Sequence, residues 1–150
     1  MVPIKMQESD YRLMLFRRDF KVFVEQSMRD AYLQFLVEGE ILDEVMALDV
    51  LERQRQETPP IGRLALVENF MSMKQITQVV KALSDSDLRF GELAIQKGYL
   101  KTTQLLVLLD IQRKKRPGIN KIIADMELAD TDILNTLRTV FLSRIRALVT

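Results

Sequence analysis

Glycine and proline stand at only nine positions, and their placement constrains the fold more than any other feature of the sequence. The glycines are Gly39, Gly62, Gly91, Gly98 and Gly118; the prolines are Pro3, Pro59, Pro60 and Pro117. Proline removes a backbone donor and breaks helices, and glycine closes them by taking the left-handed conformation. Between these breaks, apolar residues recur at spacings of three and four, as in Phe16, Phe20 and Phe23, in Met28, Tyr32 and Phe35, and in Ile133, Leu137, Val140 and Phe141. That spacing puts them on one face of a helix. Apart from a short ambiguous piece around Tyr11–Phe16, no stretch alternates at period two. The reading is an all-α chain.

Sliding the sequence along itself uncovers a repeat of about 29 residues. The segments Phe35–Ile41, Ala65–Met71, Ala94–Leu100 and Ile122–Leu128 fall in register, and Leu-Val-Glu occurs at both 36–38 and 66–68. Each unit reads as a short helix, a bend and a longer helix, with bends expected near 39, 69, 98 and 126. One apolar residue after each bend (Ile41, Met71, Leu100, Leu128) is expected to plug it. Ser72 with Gln75 has capping-box spacing, and Asp43, Thr102 and Asp130 are candidate caps. A single helical hairpin cannot bury its own face, whereas stacked hairpins can. The expected architecture is a helical segment over 1–29 packed, as a single domain, with four stacked helix-turn-helix repeats over 30–150.

Composition narrows the chemistry. The 150 residues include no cysteine and no histidine. Disulfide frameworks, thiolate metal sites, cysteine nucleophiles and the usual general base are therefore absent. The chain is not expected to be an enzyme, and no cofactor is expected. Net charge is +1, which speaks against a nucleic-acid binder relying on counterion release. The longest purely apolar run, Leu105–Leu109, is far short of a membrane span, and the start MVPIKMQESD lacks the apolar core of a signal peptide. A cytoplasmic location is expected. Charge is unevenly spread: residues 1–58 carry 8 basic and 12 acidic groups, and residues 59–150 carry 14 and 9. Such a split can orient a partner or a self-association.

The third repeat carries the most specific pattern: Arg89-Phe90-Gly91, then Leu93, Ala94, Ile95, Gly98 and Leu100, followed by Leu105, Leu109 and Gln112. This stretch resembles the motif of the N-terminal domain of type II secretion and type IV pilus assembly ATPases, in which arginine, two glycines and glutamine fall at these spacings. It departs from that motif at Phe90, where leucine is usual, and at Ala94, where a larger aliphatic is usual. In the MshEN subset the domain binds cyclic di-GMP. The resemblance implies a ligand site at Arg89, Phe90, Gly91, Gly98, Leu100, Leu105, Leu109 and Gln112. An arginine fork suits phosphate or a guanine edge, and an amide both donates and accepts. The other repeats are degraded at these positions: Asp30-Ala31-Tyr32 with Arg53, Pro60-Ile61-Gly62 with Leu83, and Arg116-Pro117-Gly118 with Val140. No phosphate-binding Walker loop is present.

Each singled-out feature also has a structural reading. Arg113–Arg116 can attract phosphate or simply complement a helix C-terminus. Asp85-Ser86-Asp87 and Asp130-Thr131-Asp132 read as caps rather than metal ligands. The aromatics Tyr11, Phe16, Phe20, Phe23, Tyr32 and Phe35 are expected to close one end of the core; any exposed share would mark a homodimer or partner surface. Two functions follow. One is a regulatory module taking cyclic di-GMP through residues 89–112. The other is a ligand-free adaptor for a protein partner on the same scaffold.

Overall fold

A computed structural model describes residues 7–149, with the backbone only at Val149. The described residues are all-helical, in the order α1 (Glu8–Glu38), α2 (Glu44–Glu57), α3 (Ile61–Val67), α4 (Met73–Leu83), α5 (Phe90–Gln96), α6 (Thr102–Lys115), α7 (Ile119–Asp125) and α8 (Thr131–Val149). No helix among them is long and apolar enough to cross a membrane. The 31-residue α1 runs through position 29, the expected end of the N-terminal segment.

Local chemistry sets the helix ends. Glu40, Asn69, Gly98 and Glu127 take positive φ (61°, 59°, 77° and 58°) and follow one another at equal steps along the chain. At each, two backbone bonds close the preceding helix. Gly98 N–H donates to Ile95 O (2.9 Å) and Tyr99 N–H to Ala94 O (2.9 Å), and the same pair recurs at Glu40/Ile41, Asn69/Phe70 and Glu127/Leu128. This is the Schellman closure, which satisfies carbonyls the helix leaves open. Two expected bends move by one residue, from 39 to Glu40 and from 126 to Glu127. The first plug moves with its bend: Leu42 is buried and Ile41 only half-buried, while Met71 and Leu100 are buried as expected.

The next helix begins soon after each left-handed residue. Asp43 Oδ1 accepts from Met46 N–H at 2.7 Å, and Ser72 and Gln75 form a full capping box. The third cap is Lys101, not Thr102. Gln104 Oε1 accepts from the Lys101 N–H (2.9 Å), while Thr102 lies inside α6, buried, donating to Glu8 Oε1 at 2.8 Å. Asp130 Oδ1 accepts from Asp132 N–H at the start of α8.

The chain divides into two compact units. One comprises residues up to Asp19 with Pro59–Arg116; the other comprises Phe20–Thr58 with the residues from Pro117 onward. In the first, α3 packs on α6 and α4 on α5, around Leu64, Ala65, Val79, Ala94 and Leu108. In the second, α2 and α8 pack on α7, around Leu36, Val50, Ile122, Ile123 and Leu134. Full burial of each leucine, isoleucine or valine among these is worth about 1.5–3 kcal/mol.

The expectation that the N-terminal aromatics close the core fails for three of them. Phe16, Phe20 and Phe23 are 69%, 65% and 65% exposed; Tyr32 alone is buried, and Tyr11 and Phe35 are half-buried. The α1 face that carries Leu13, Phe16, Phe20 and Phe23 points to solvent, because Leu15 and Val22, on the other side, turn inward.

Candidate functional site

Residues 89–112 lie within the first unit and span α5, its bend and most of α6. Arg89 is the N-cap of α5 and is largely exposed. Its guanidinium donates to both carboxylate oxygens of Asp19 (Nη2–Oδ2 2.8 Å, Nη1–Oδ1 3.3 Å) and through Nε to Glu92 Oε1 (2.7 Å). Its hydrogen bonds to Asp19, and then to Glu92, hold its proton even more firmly than usual. Thus Arg89 is already held by two carboxylates, in the bidentate geometry that would otherwise receive a phosphate.

The remaining motif residues are committed to packing. Phe90 lays its ring on Gly62, where an added Cβ would stand 3.1 Å from Cζ. Gly91 is buried beneath Leu105, where a Cβ would lie 2.5 Å from Cδ1. Leu100 and Leu105 are core residues at 4% and 5% exposure, and Leu109 packs half-buried against them. Gly98 supplies the left-handed bend. Gln112 donates from Nε2 to the Pro59 carbonyl at 3.0 Å, tying α6 to the entry of α3. The structure brings Gly91 and Leu105 together, whereas Arg89 turns to Asp19 and Gln112 to Pro59.

The other candidates resolve as local structure. Arg113, Lys114 and Lys115 sit in the last turn of α6, and Lys114 pairs with Asp110 at 3.0 Å. Ser86 Oγ accepts from Leu88 N–H at 3.0 Å. No group of three or more acidic, histidine or cysteine side chains among the described residues is placed to hold a metal ion.

The second unit contains two arrangements that the sequence reading missed. Gln54, buried, donates from Nε2 to the Pro117 carbonyl at 3.0 Å and accepts from Arg29 Nη1 at 3.0 Å. Gln54 stands 58 positions before Gln112 (112 − 54), and Pro59 the same 58 before Pro117 (117 − 59). A comparison at twice the repeat length would have found both, whereas the single-repeat register sets Arg53 against Gln112. Buried Tyr32 donates to Asn120 Oδ1 at 2.6 Å, and burial raises its phenol pKa. Its ring meets Phe141 at 5.3 Å, which in turn meets Phe35 at 5.6 Å.

Two grooves open in that unit. One, of about 400 Å³, is lined by Met28, Arg29, Tyr32, Asn120, Arg138 and Phe141, among others. The other, of about 440 Å³, has an apolar floor of Val37, Ile41, Leu42 and Met46 and a rim of Glu40, Asp43 and Glu44. No protein-family model matches the chain, and neither does any curated protein or solved structure.

Proposed function

We propose that this chain is a non-catalytic protein-interaction module, an adaptor built on helix–bend–helix repeats, two to each unit. The constant step between left-handed residues, together with helix starts at Glu44, Met73, Thr102 and Thr131, supports the repeat. The absence of cysteine and histidine supports a non-catalytic role. One observation carries the adaptor reading over the nucleotide reading. The residues that the resemblance assigns to a ligand are engaged with the protein itself: Arg89 with Asp19 and Glu92, Gln112 with Pro59, and Leu105 with Gly91. A phosphate at Arg89 would have to displace two carboxylates. Meanwhile a face of large apolar side chains on α1 is open to water, and such faces mark interaction surfaces.

Calorimetric titration with cyclic di-GMP tests this reading. The expected result is no heat and no thermal shift at millimolar ligand. Saturable binding that Arg89→Ala weakens more than tenfold would restore the regulatory-module reading and retire the adaptor.

A further inference from the structure

The exposed face of α1 and the acid-rimmed groove of the second unit have opposite characters. On α1, Leu13, Phe16, Phe20 and Phe23 follow one another at steps of three, four and three, with Val24 beside them, all 42–69% exposed. The stripe is about 15 Å long at 1.5 Å per residue. Along residues 8–25 of α1 the bases Arg12, Arg17, Arg18 and Lys21 stand with the acids Glu8, Asp10, Asp19 and Glu25; Arg12 pairs with Glu8 at 3.8 Å and Asp19 with Arg89. Arg17 and Lys21 border the stripe and are exposed. In residues 38–52 the charges are acidic throughout: Glu38, Glu40, Asp43, Glu44, Asp49 and Glu52, with no basic residue. Three of these acids rim the groove over Val37, Ile41, Leu42 and Met46, and beside it on α2 Val45 and Leu48 are 67% and 66% exposed.

We infer that the partner seated on the α1 stripe is a second copy of this chain, presenting its acid-rimmed groove. This rests on the interaction-module reading and names its partner. Phenylalanines bordered by cations would lie on an aliphatic floor bordered by carboxylates, so apolar burial and charge complementarity act together. An isologous pairing of α1 with α1 would instead bring the Arg17 and Lys21 groups of two copies side by side, where like charges repel. The two surfaces differ, so a single stripe-on-groove contact leaves one stripe and one groove to be used. The pairing is then either reciprocal, stripe on groove twice across a two-fold axis, or head-to-tail, closing into a ring or growing as a chain. A patch this short belongs to the weak class of interfaces, so assembly depends on concentration and salt.

Sedimentation velocity on the full chain, from about 10 to about 500 µM protein in about 50 mM and about 500 mM NaCl, reads this out. At low salt the mean mass is expected to climb above the 17.4 kDa monomer with concentration, and to fall back at high salt. Phe20→Ser, Lys21→Glu and Glu44→Lys alter exposed side chains and are expected to keep the circular dichroism and melting of the parent. Each should weaken assembly tenfold or more. An equimolar mixture of the Phe20→Ser and Glu44→Lys proteins retains one working stripe and one working groove, and should give dimers and nothing larger. A monomer throughout, a mass indifferent to Glu44→Lys, or a silent mixture would overturn the proposal. So would a monomer that instead binds phosphatidylglycerol vesicles through α1. A monomer that captures a different purified protein through Phe20 would overturn self-association and leave the adaptor reading standing.

Discussion

In the first unit a phenyl ring rests on a glycine; in the second, at positions 58 residues away along the chain (90 − 32 and 120 − 62), a tyrosine hydroxyl reaches an asparagine. Phe90 with Gly62 and Tyr32 with Asn120 are contacts at matching spacing made by different chemistry. A few residues away both units keep one bond unchanged, a glutamine amide on α6 or α2 given to a proline carbonyl at 3.0 Å. The pair teaches which parts of the scaffold tolerate change. A ring on a glycine needs only shape. A buried hydroxyl needs an acceptor, so Tyr32 and Asn120 depend on each other, whereas the amide-to-carbonyl tie closes a chain entry that proline leaves short of a donor.

The largest test of the comparison is core truncation. Leu108→Ala in one unit and Leu36→Ala in the other, both fully buried, should each cost about 2–5 kcal/mol in urea unfolding. Hydrogen exchange should show the strongest loss of protection within the unit that carries the change. Next comes the shared tie. Gln54→Ala strips partners from both Pro117 O and Arg29 and should cost about 1–3 kcal/mol, more than Gln112→Ala, whose site is nearer solvent.

These contacts separate the units by pH. Tyr32→Phe and Asn120→Gly should each destabilise by about 1 kcal/mol but be non-additive together, since the double variant sets a ring and a glycine at the spacing found in the first unit. Burial raises the Tyr32 phenol above its ordinary value. Its contribution is therefore complete below about pH 10, where the phenol is neutral in both states, and is lost as pH rises through the folded-state value, because the unfolded chain ionises first. Tyr32→Phe should flatten that alkaline decline in thermal melts, and Phe90→Leu should not.

The bends give smaller effects of opposite sign. Gly98→Ala, at φ 77°, should lower stability by about 1 kcal/mol, while Glu40→Gly and Glu127→Gly in the other unit should raise it by about 0.5 kcal/mol, by relieving left-handed backbone. Smallest of all is Arg89→Ala. Its ion pairs are exposed, and the loss in unfolding free energy should stay below about 1 kcal/mol.

Helix ends were legible because they are local. Ser72 with Gln75, Asp43, and the left-handed Asn69 and Gly98 are decided within a turn of backbone. The candidate site was legible only as a pattern: residues 89–112 share a segment, yet their partners Asp19 and Pro59 lie far away in the chain. Phe16, Phe20 and Phe23 show the same limit. Their spacing announces an apolar helix face and says nothing about whether anything covers it.

The sequence by itself determined an all-helical chain broken at regular intervals, because proline, glycine and capping side chains act on neighbouring residues. Only the tertiary structure decided that Glu40 rather than Gly39 bends to the left. Glycine pays no steric cost there, about 1–2 kcal/mol for another residue, yet the bend falls at Glu40, and it is Leu42 that is buried after it while Ile41 is half-buried. The pairing of Gln54 with Pro117 and of Tyr32 with Asn120 likewise belongs to packing, since contacts between such distant parts of the chain leave no mark on local periodicity.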